Sequence, residues 1–438
     1  MNFIRSHKTE LILFILSFVI HLTLFSAMIE ELGSVLDTVR VDDGYFELTQ
    51  NVLAGNGFSW SAEAPYAPNP LRTPGYIYVL ALLISVVGIT GAALIQLVAS
   101  SLIPVFGFYI AQRITGSKKA AIFTGVILAV DPMLAFLSFQ FYTDTLFLLL
   151  FLPWLLLTFR YAKNPNIKTL IICAILLGIA ILVRPVVQYV PILIALCIMW
   201  QFGKHNWHKS AIHIGVYFII IGAILTPWIM RNVATFDSPG LSAQSSFVLY
   251  TNLAPAVLSV ANGTNFQEER DSFLTFEEYK GDTITLKNAS TYTEKAIDIV
   301  LEHPAATAYV MSKSVFTFFT NDGFYTLLGR LGHEPRDSLA FLVVMRLVWI
   351  FITLAAFVGA LRYIFIQRSP WAIFTVTLVA YFAATSTIAA FGTNPRYRLP
   401  VDPIILALAA IGAVYIRTWV ERYNIVPKIK KMIRRDNI

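Results

Sequence analysis

Residues 144–202 read DTLFLLLFLPWLLLTFRYAKNPNIKTLIICAILLGIAILVRPVVQYVPILIALCIMWQF and contain three apolar runs, at 144–160, 168–184 and 186–202. A basic loop separates the first two runs, and the dipeptide Arg184-Pro185 separates the last two. Each run approaches the roughly 20 residues that an α-helix needs to cross about 30 Å of hydrocarbon. Runs of this length with so little charge predict membrane-spanning helices rather than the core of a soluble domain.

The composition extends this pattern to the whole chain of 438 residues. Hydrophobic residues make up 57% of the sequence, charged residues only 13%, and the mean hydropathy is +0.67. Soluble domains are typically about a quarter charged, so this chain cannot solvate the surface of several globular domains. We therefore predict an all-α polytopic integral membrane protein. Its two cysteines, Cys173 and Cys197, lie inside apolar runs and are expected to pack as small hydrophobes rather than to form a disulfide.

About ten runs are predicted to span the membrane, and the distribution of charge decides the status of an eleventh candidate. The ten lie at about 10–30, 92–112, 120–140, 144–160, 168–184, 186–202, 210–230, 339–361, 370–391 and 399–416. The eleventh, Tyr76–Thr90, is shorter. If it does not span and the N-terminus is cytoplasmic, the cytoplasmic segments hold 19 of the 33 Lys and Arg residues and only three acids. The positive-inside rule therefore places Tyr76–Thr90 at the outer interface and both termini in the cytoplasm.

This topology divides the chain into four predicted parts. They are an N-terminal module at 1–231 with an outer loop at 31–91, an outer domain at 232–338, C-terminal membrane helices at 339–416 and a basic cytoplasmic tail at 417–438. The positive charge follows the cytoplasmic loops, so topology and anionic lipid headgroups explain it, and nucleic acid is not an expected partner.

The first outer loop carries an acidic motif, Asp42-Asp43-Gly44, at the start of an amphipathic stretch. Apolar residues recur at helical spacing after it, which predicts a short helix over about 43–54 that ends at Gly55. The acids have two readings: they cap this helix, or they take part in chemistry.

Five arginines and a further carboxylate, Asp144, are also predicted at the outer face. The arginines are Arg72, Arg184, Arg231, Arg396 and Arg398. Each alone is explained by a side chain that extends to lipid headgroups. Their joint placement beside carboxylates instead suits an anionic, lipid-linked substrate, so we predict that they bind a donor phosphate. Four residues of the same motifs are predicted to contact the substrate: Tyr45, Tyr76, Asn232 and Tyr397.

Taken in order, these motifs resemble the bacterial dolichyl-phosphate-mannose-protein mannosyltransferase-like group, glycosyltransferase family 39, and its aminoarabinose-transferase relatives. The motifs are DDGY at 42–45, GNGFS at 55–59, RTPGY at 72–76, YTD at 142–144, VRP at 183–185, PWIMRN at 227–232 and RYRLP at 396–400. The resemblance is specific as an ordered set rather than in any one motif, and it covers about residues 1–260 and 390–405. It implies the GT-C membrane fold, a polyprenyl-phosphate-sugar donor, an acceptor hydroxyl on the outer face and inversion at the anomeric carbon.

The resemblance also implies roles for the acids. In the family, the first acid of an Asp-Glu pair after the first helix is the catalytic base, and this position corresponds to Asp42. This chain has Asp43 where the family often has Glu, so both acids stay candidates, and a second family acid corresponds to Asp144. The region from about 265 to 390 matches no motif of the family, which leaves open whether the acceptor is a protein, a lipid or a glycan.

These residue types fit glycosyl transfer from a lipid phosphate. The departing phosphate gains negative charge, and a fixed guanidinium stabilises that charge bidentately, while a carboxylate removes the proton of the acceptor hydroxyl. We expect no cofactor. A divalent cation bound by the three carboxylates is the less favoured alternative. The sequence has no Gly-rich nucleotide loop on its cytoplasmic side, which disfavours a nucleotide-sugar donor.

Two other functions compete with this one. An O-antigen polymerase or ligase also has ten to twelve spans and a large outer loop, but its usual plan lacks an acidic motif directly after the first helix. A transporter or flippase of lipid-linked sugars would often show repeated halves and charges near the bilayer midplane, and this chain shows no repeat. The sequence thus favours a glycosyltransferase of the inner (plasma) membrane, with membrane lipids, a lipid-linked donor and an acceptor as its partners.

Overall fold

The computed structural model describes residues 7–41, 43–275 and 284–422. Helices and the turns between them make up this part of the chain, which contains no β-strand. The predicted base Asp42 and most of the predicted basic tail, from residue 423 onward, lie outside the described residues.

The described residues of the N-terminal part form eleven α-helices. They are α1 Lys8–Leu32, α2 Val35–Val39, α3 Tyr45–Leu53, α4 Pro74–Ser100, α5 Ile103–Thr115, α6 Lys118–Ala129, α7 Pro132–Leu137, α8 Asp144–Lys163, α9 Ile167–Val183, α10 Val190–Phe202 and α11 Trp207–Phe236. We call residues 33–73, between α1 and α4, the first loop. Helix α3 confirms the short helix predicted over about 43–54.

Residues 237–338, which we call the connecting segment, join the N-terminal part to the last three helices. Within the described residues the segment contains α12 Gln244–Val248, α13 Ala254–Asn262, α14 Phe266–Thr275, α15 Ala289–Glu302, α16 Pro304–Thr320 and α17 Phe324–Arg330. The C-terminal helices are α18 Leu339–Gln367, α19 Pro370–Ser386 and α20 Asp402–Arg422. The predicted domain boundaries stay a prediction.

Eight helical segments in the described part of the chain are long and apolar enough to cross a membrane. They are Lys8–Leu32, Pro74–Thr115, Asp144–Lys163, Pro185–Phe202, Lys204–Phe236, Leu339–Gln367, Pro370–Gly392 and Asp402–Arg422. Helix α9 is apolar and slightly shorter, at 17 residues. The predicted class, an all-α protein with many membrane helices, is confirmed.

The predicted span at 120–140 is not one continuous helix. Helix α6 ends at Ala129 and α7 begins at Pro132. Between them the carboxylate of Asp131 accepts a hydrogen bond from the backbone N–H of Leu134, with an N···O distance of 2.7 Å, and so caps α7. Proline lacks the N–H that a continuous helix would need, which explains the break.

The eleventh candidate span, Tyr76–Thr90, lies within α4, but the helix is interrupted at Gly88. Gly88 has φ +72° and ψ 178°, a conformation that glycine adopts without the steric cost that a Cβ would impose. The chain therefore changes direction at Gly88, two residues before the end of this candidate span at Thr90.

Two of the long helices, α18 and α20, approach each other closely. A Cβ built on Gly359 would lie 1.8 Å from the carbonyl oxygen of Leu408, and one on Gly412 would lie 1.9 Å from that of Ala355. Small residues allow helices in a membrane to approach closely, where van der Waals packing replaces the hydrophobic effect that lipid tails cannot supply. These glycines fix the position of α20, which follows the turn that carries Arg396.

Aromatic packing fixes α8 at the centre of the helices. Phe147, Phe151 and Trp154 are fully buried along one face of α8. Phe147 and Phe151 stack with ring centroids 5.2 Å apart, and Phe382 of α19 meets Phe151 edge-on at 5.5 Å. The first residue of α8 is Asp144, so this packing also fixes one carboxylate of the site described next.

Candidate active site

Asp43 lies at the turn that leads into α3. The next residue, Gly44, has φ +74° and forms the N-cap of α3, with no side-chain cap. The Asp43 carboxylate therefore does not cap the helix and instead faces two arginines. A Cβ on Gly44 would lie 2.7 Å from the indole ring of Trp60, so only glycine fits between the turn and this ring.

The two arginines that reach Asp43 come from distant parts of the chain. Arg72 Nη2 lies 3.4 Å from Asp43 Oδ1, and Arg396 Nη1 lies 3.5 Å from Asp43 Oδ2. Arg72 also donates to the backbone carbonyl of Asp43 from Nε at 3.2 Å and from Nη2 at 2.8 Å. The first loop is thereby tied to the turn before α20.

Asp144 joins the same cluster from the start of α8. Its Oδ2 accepts a hydrogen bond from Arg396 Nε at 2.7 Å, and its Oδ1 is paired with Arg184 Nη1. The Asp144 side chain is 2% exposed, so both of its oxygens are occupied by guanidinium groups in a buried setting. The structure thus joins Asp43, Asp144, Arg72, Arg184 and Arg396 into one cluster, which we call the Asp/Arg cluster.

The RTPGY motif explains how Arg72 and Arg184 come close together. A Cβ on Gly75 would lie 2.8 Å from the carbonyl oxygen of Leu182, so the start of α4 rests directly on the end of α9. The Thr73 hydroxyl donates to the carbonyl of Val183 at 3.3 Å. Arg72 precedes this contact and Arg184 follows it, and both side chains reach the cluster.

Tyrosine rings line the Asp/Arg cluster. The guanidinium of Arg72 lies over the Tyr45 ring at 4.8 Å, and that of Arg396 lies over the Tyr142 ring at 4.0 Å. Tyr45 packs edge-on against Tyr76 and Tyr142, with ring centroids 5.7 and 6.1 Å apart. Such contacts hold arginines in place without neutralising their charge.

Three glutamines that were not predicted as site residues support the Asp/Arg cluster and the tyrosines around it. The Tyr76 hydroxyl donates to Gln96 Oε1 at 2.8 Å, and Gln96 Nε2 donates to the carbonyl of Gln140 at 2.5 Å. Gln244 accepts a hydrogen bond from Arg72 Nη1 at 3.2 Å. The signal for Gln96 was present in the sequence, because a glutamine within an apolar run is expensive in a membrane and needs a partner.

The electrostatics of the site follow from these contacts. Burial raises the pKa of the Asp43 carboxyl, but Arg72, Arg396 and the Tyr142 hydroxyl outweigh burial and bring the pKa below the usual 3.8. Burial by itself would lower the pKa of Arg396, but Asp144 and its other neighbours raise it well above the usual value. The Asp43 carboxylate and the Arg396 guanidinium therefore stay ionised around neutral pH.

Arg231 and Asn232 lie beside the cluster rather than in it. Arg231 is enclosed by three aromatic rings, with its guanidinium 4.7 Å from the Trp228 ring centre, and its Nη1 donates to Asn232 Oδ1 at 2.8 Å. Asn232 is fully buried, and its Nδ2 donates to the carbonyl of Gly240 at 2.7 Å. These internal contacts occupy its amide, and the predicted contact of Asn232 with the substrate stays a prediction.

Arg398 is separate from the cluster, although it follows Arg396 by only two residues. Its side chain is fully buried, with Nε 2.6 Å from Asp402 Oδ1 and Nη1 donating to the carbonyl of Phe318 at 2.9 Å. Its guanidinium lies over the Trp349 ring at 3.5 Å. Arg398 therefore ties α16, α18 and α20 together, and its predicted contact with the donor phosphate stays a prediction. Tyr397, between the two arginines, is half-buried and influences Arg396 electrostatically.

An open cavity of about 860 Å³ adjoins the Asp43 side of the cluster. Asp43, Arg72 and Trp60 form part of its wall, and Arg270 and Arg330 of the connecting segment complete it. Within the described ranges, no three His, Cys, Asp or Glu side chains form a group suited to a metal ion. The expectation that no cofactor is needed stays a prediction.

Comparison with known families gives one partial match. Residues 70–230 match the family described as Dolichyl-phosphate-mannose-protein mannosyltransferase. This range contains Arg72, Asp144 and Arg184 of the cluster. No curated protein matches the sequence.

Several solved structures are similar to this chain over most of its length. The archaeal oligosaccharyltransferase AglB from Archaeoglobus fulgidus, in complex with an inhibitory peptide and a dolichol-phosphate, is 12% identical with a TM-score of 0.51, and the match covers 97% of this chain and 52% of that one. The apo form of the A. fulgidus oligosaccharyltransferase gives 14% identity, a TM-score of 0.49 and the same coverage. ArnT from Cupriavidus metallidurans bound to undecaprenyl phosphate gives 14% identity and a TM-score of 0.36, over 92% of this chain and 77% of that one.

The present chain thus spans about half the length of the A. fulgidus oligosaccharyltransferase chains that it matches. At 12% identity the AglB likeness shows a shared fold, the GT-C fold. The predicted resemblance to GT-C glycosyltransferases is confirmed.

Proposed function

We propose that this GT-C-fold protein is a glycosyltransferase that moves a sugar from a polyprenyl-phosphate donor to an acceptor hydroxyl on the outer face of the membrane, with inversion. The observation that carries the proposal is the Asp/Arg cluster, in which four separate segments bring three arginines and two acids together. The match of residues 70–230 to a mannosyltransferase family supports the same chemistry.

The arginines act on the donor phosphate. Three guanidiniums meet two carboxylates, so the cluster carries a net positive charge when the site is empty of substrate. The phosphate gains negative charge as its bond to the anomeric carbon breaks. A fixed positive group aimed at that charge lowers the activation free energy by about 3 kcal/mol. Arg72 and Arg396 are the better placed of the three, because each contacts the partly exposed Asp43 rather than only the buried Asp144.

Asp42 is the proposed general base, as the resemblance implies. The pKa of the neighbouring acid supports this assignment indirectly. Two arginines keep the pKa of Asp43 below the usual value, which makes Asp43 a weaker proton acceptor. General bases work best with a pKa near the working pH. We assign Asp43 the role of orienting Arg72 and Arg396.

Asp144 is assigned a positioning role rather than a catalytic one. Its two oxygens are held by Arg184 and Arg396 and its side chain is 2% exposed, which leaves no free oxygen for an acceptor hydroxyl. Asp144 instead holds the two guanidiniums together, so that the donor phosphate meets a preorganised pair.

We further propose that the cluster faces the outside of the inner (plasma) membrane and that both termini lie in the cytoplasm. The distribution of Lys and Arg over the loops supports this orientation. Cysteine labelling tests it after Cys173 and Cys197, which are both free and buried, are replaced by Ala. We expect a membrane-impermeant maleimide to label Glu63→Cys in intact cells and to label Lys118→Cys only after permeabilisation. Labelling of position 118 in intact cells would reverse the orientation.

The donor assignment is tested by retention of undecaprenyl phosphate on the purified protein. We expect Arg72→Gln and Arg396→Gln to weaken retention at least tenfold, because each variant removes a charge-assisted contact to the phosphate. The matched control is Arg368→Gln, at the exposed end of α18, which should retain the lipid like the unmodified protein. Lipid extraction followed by mass spectrometry measures the outcome. Unchanged retention in both cluster variants would show that the donor phosphate does not bind at the Asp/Arg cluster.

Transfer itself is tested in membranes with and without the gene. Undecaprenyl phosphate carrying mannose, glucose or aminoarabinose is supplied as donor, and mass spectrometry of envelope glycans and proteins identifies the modified acceptor. We expect one of the sugars to appear on an acceptor only when the gene is present. If none of the donors is consumed in a gene-dependent way, this donor class is excluded.

A further inference from the structure

The cavity beside Asp43 contains two arginines that the transfer chemistry does not use. Arg270 lies on α14 and Arg330 ends α17, so both belong to the connecting segment. The Nε atom of Arg270 is buried and has no hydrogen-bond partner in the part of the chain that the structure describes. A buried donor of a charged group that lacks a partner is costly, unless a ligand supplies an acceptor.

The other charged residues of the cavity wall are largely paired with each other. Arg40 Nη2 lies 2.6 Å from Glu47 Oε1, and Arg72 is paired with Asp43. Asp37 accepts a hydrogen bond from the Ser34 hydroxyl at 2.5 Å. Among the described residues, neither Arg270 nor Arg330 has an acidic group within 4.0 Å. The cavity therefore has excess positive charge on the wall that the connecting segment provides.

Trp60 gives the cavity a second recognition element. Its indole packs over Gly44, one residue after Asp43, and forms part of the wall. An indole offers a flat apolar face with a polar edge, which suits the faces of sugar rings. At about 860 Å³ the cavity is within the usual range for a small-molecule site.

We propose that this cavity binds the acceptor and that the acceptor is an acidic saccharide, whose phosphate or carboxylate is held by Arg270 and Arg330 while its hydroxyl approaches the acidic motif. This inference rests on the proposed function and adds the acceptor class to it. Arginine is suited to the contact because its planar fork binds either anion bidentately.

The position of these arginines favours the acceptor over the donor. The donor phosphate has its own contacts in the Asp/Arg cluster, where Arg184 and Arg396 lie at the ends of membrane helices and the isoprenoid tail can remain among them. Arg270 lies on a polar helix, FQEERDSFLT, whose sequence does not suit contact with a lipid tail. We therefore assign Arg270 and Arg330 to the acceptor, and Arg184 and Arg396 to the donor.

Binding of simple sugars to the purified protein tests the proposal. The probes are glucose 6-phosphate, glucuronate and glucose, titrated at constant ionic strength and followed by ligand-observed NMR. We expect the two acidic sugars to bind at least tenfold more tightly than glucose. Arg270→Gln and Arg330→Gln should each weaken acidic-sugar binding about tenfold and leave glucose binding unchanged, because each removes one charge-assisted contact.

Controls separate the site from general charge effects. Lys287→Gln removes an exposed positive charge elsewhere in the connecting segment and should bind all three probes like the unmodified protein. Arg330→Lys preserves the charge but not the fork, and should keep an intermediate affinity. Because Arg330 is exposed, its variants are expected to fold, and thermal unfolding checks this for every variant.

Several outcomes would overturn the inference. If glucose and the acidic sugars bind equally, the cavity has no anion site. The same conclusion follows if the Arg270→Gln, Arg330→Gln double variant binds the acidic sugars as the unmodified protein does. Loss of undecaprenyl phosphate retention in that double variant would assign the cavity to the donor instead. If the unmodified protein binds acidic sugars through these arginines but retains no lipid phosphate, the anion site stands and the proposed donor chemistry fails.

Discussion

The Asp42→Asn variant is expected to lose turnover by a factor of 10² or more while it still folds and retains the lipid phosphate. Asn has nearly the same volume as Asp and caps helices about equally well, but it cannot accept the proton of the acceptor hydroxyl. A general base commonly contributes about 10² to 10⁴ in rate, so its loss should appear in kcat with little change in donor binding. Turnover is measured as gene-dependent consumption of the labelled donor.

Asp43→Asn is the matched comparison, since it alters the neighbouring acid in the same way. Asp43 contacts Arg72 and Arg396, so this variant should weaken donor retention as well as turnover. Near-normal turnover in Asp42→Asn with an inactive Asp43→Asn would assign the base to Asp43. Normal turnover in both would leave the mechanism without a base in this loop. The anomeric configuration of the product separates a base, which gives inversion, from a covalent nucleophile, which gives retention.

The second large effect is expected at Asp144, through stability. Asp144→Ala removes the shared partner of Arg184 and Arg396, which leaves the largely buried Arg184 without a carboxylate and Arg396 with only the more distant Asp43. Breaking a buried ion pair by removing one partner typically costs about 3–5 kcal/mol. We therefore expect the free energy of unfolding, measured by denaturant titration in mixed micelles, to fall by about that amount.

Two comparisons show whether the loss comes from the buried cluster. Asp237→Asn removes an exposed negative charge that lies 4.0 Å from Lys287, and we expect its unfolding to match that of the unmodified protein, because water screens this pair and asparagine tolerates the left-handed backbone of residue 237. In the double variant Asp144→Leu, Arg184→Met, an apolar pair replaces the ion pair, and stability should partly recover while donor retention does not. An Asp144→Ala protein as stable as the unmodified one would mean that the cluster does not hold these segments together.

Much of the membrane architecture was predictable because apolar runs are a local property of the chain. The helices Lys8–Leu32, Trp207–Phe236 and Leu339–Gln367 contain the predicted spans 10–30, 210–230 and 339–361. Where the prediction differed, local backbone chemistry prevailed over hydropathy. Pro132 after Asp131 divides the run at 120–140, and Gly88 redirects the chain inside an unbroken apolar stretch.

The sequence by itself determined the class of the protein and the residue types available for its chemistry. Hydrophobic length and charge bias specify membrane helices, and the order of the acidic and arginine motifs pointed to a GT-C glycosyltransferase. None of this depends on which residues meet in space. The acidic motif and the short helix after it were likewise readable from a few neighbouring residues.

Only the tertiary structure decided which of these residues act together. Asp144 and Arg396 are hydrogen-bonded across 252 positions, a partnership that no local pattern encodes. Arg396 and Arg398 looked equivalent in the sequence, yet one joins the Asp/Arg cluster and the other is buried against Asp402 and Trp349. The short 3₁₀ turn at Pro395–Tyr397 separates the directions of the two side chains, and the packing of α16, α18 and α20 determines what each one meets.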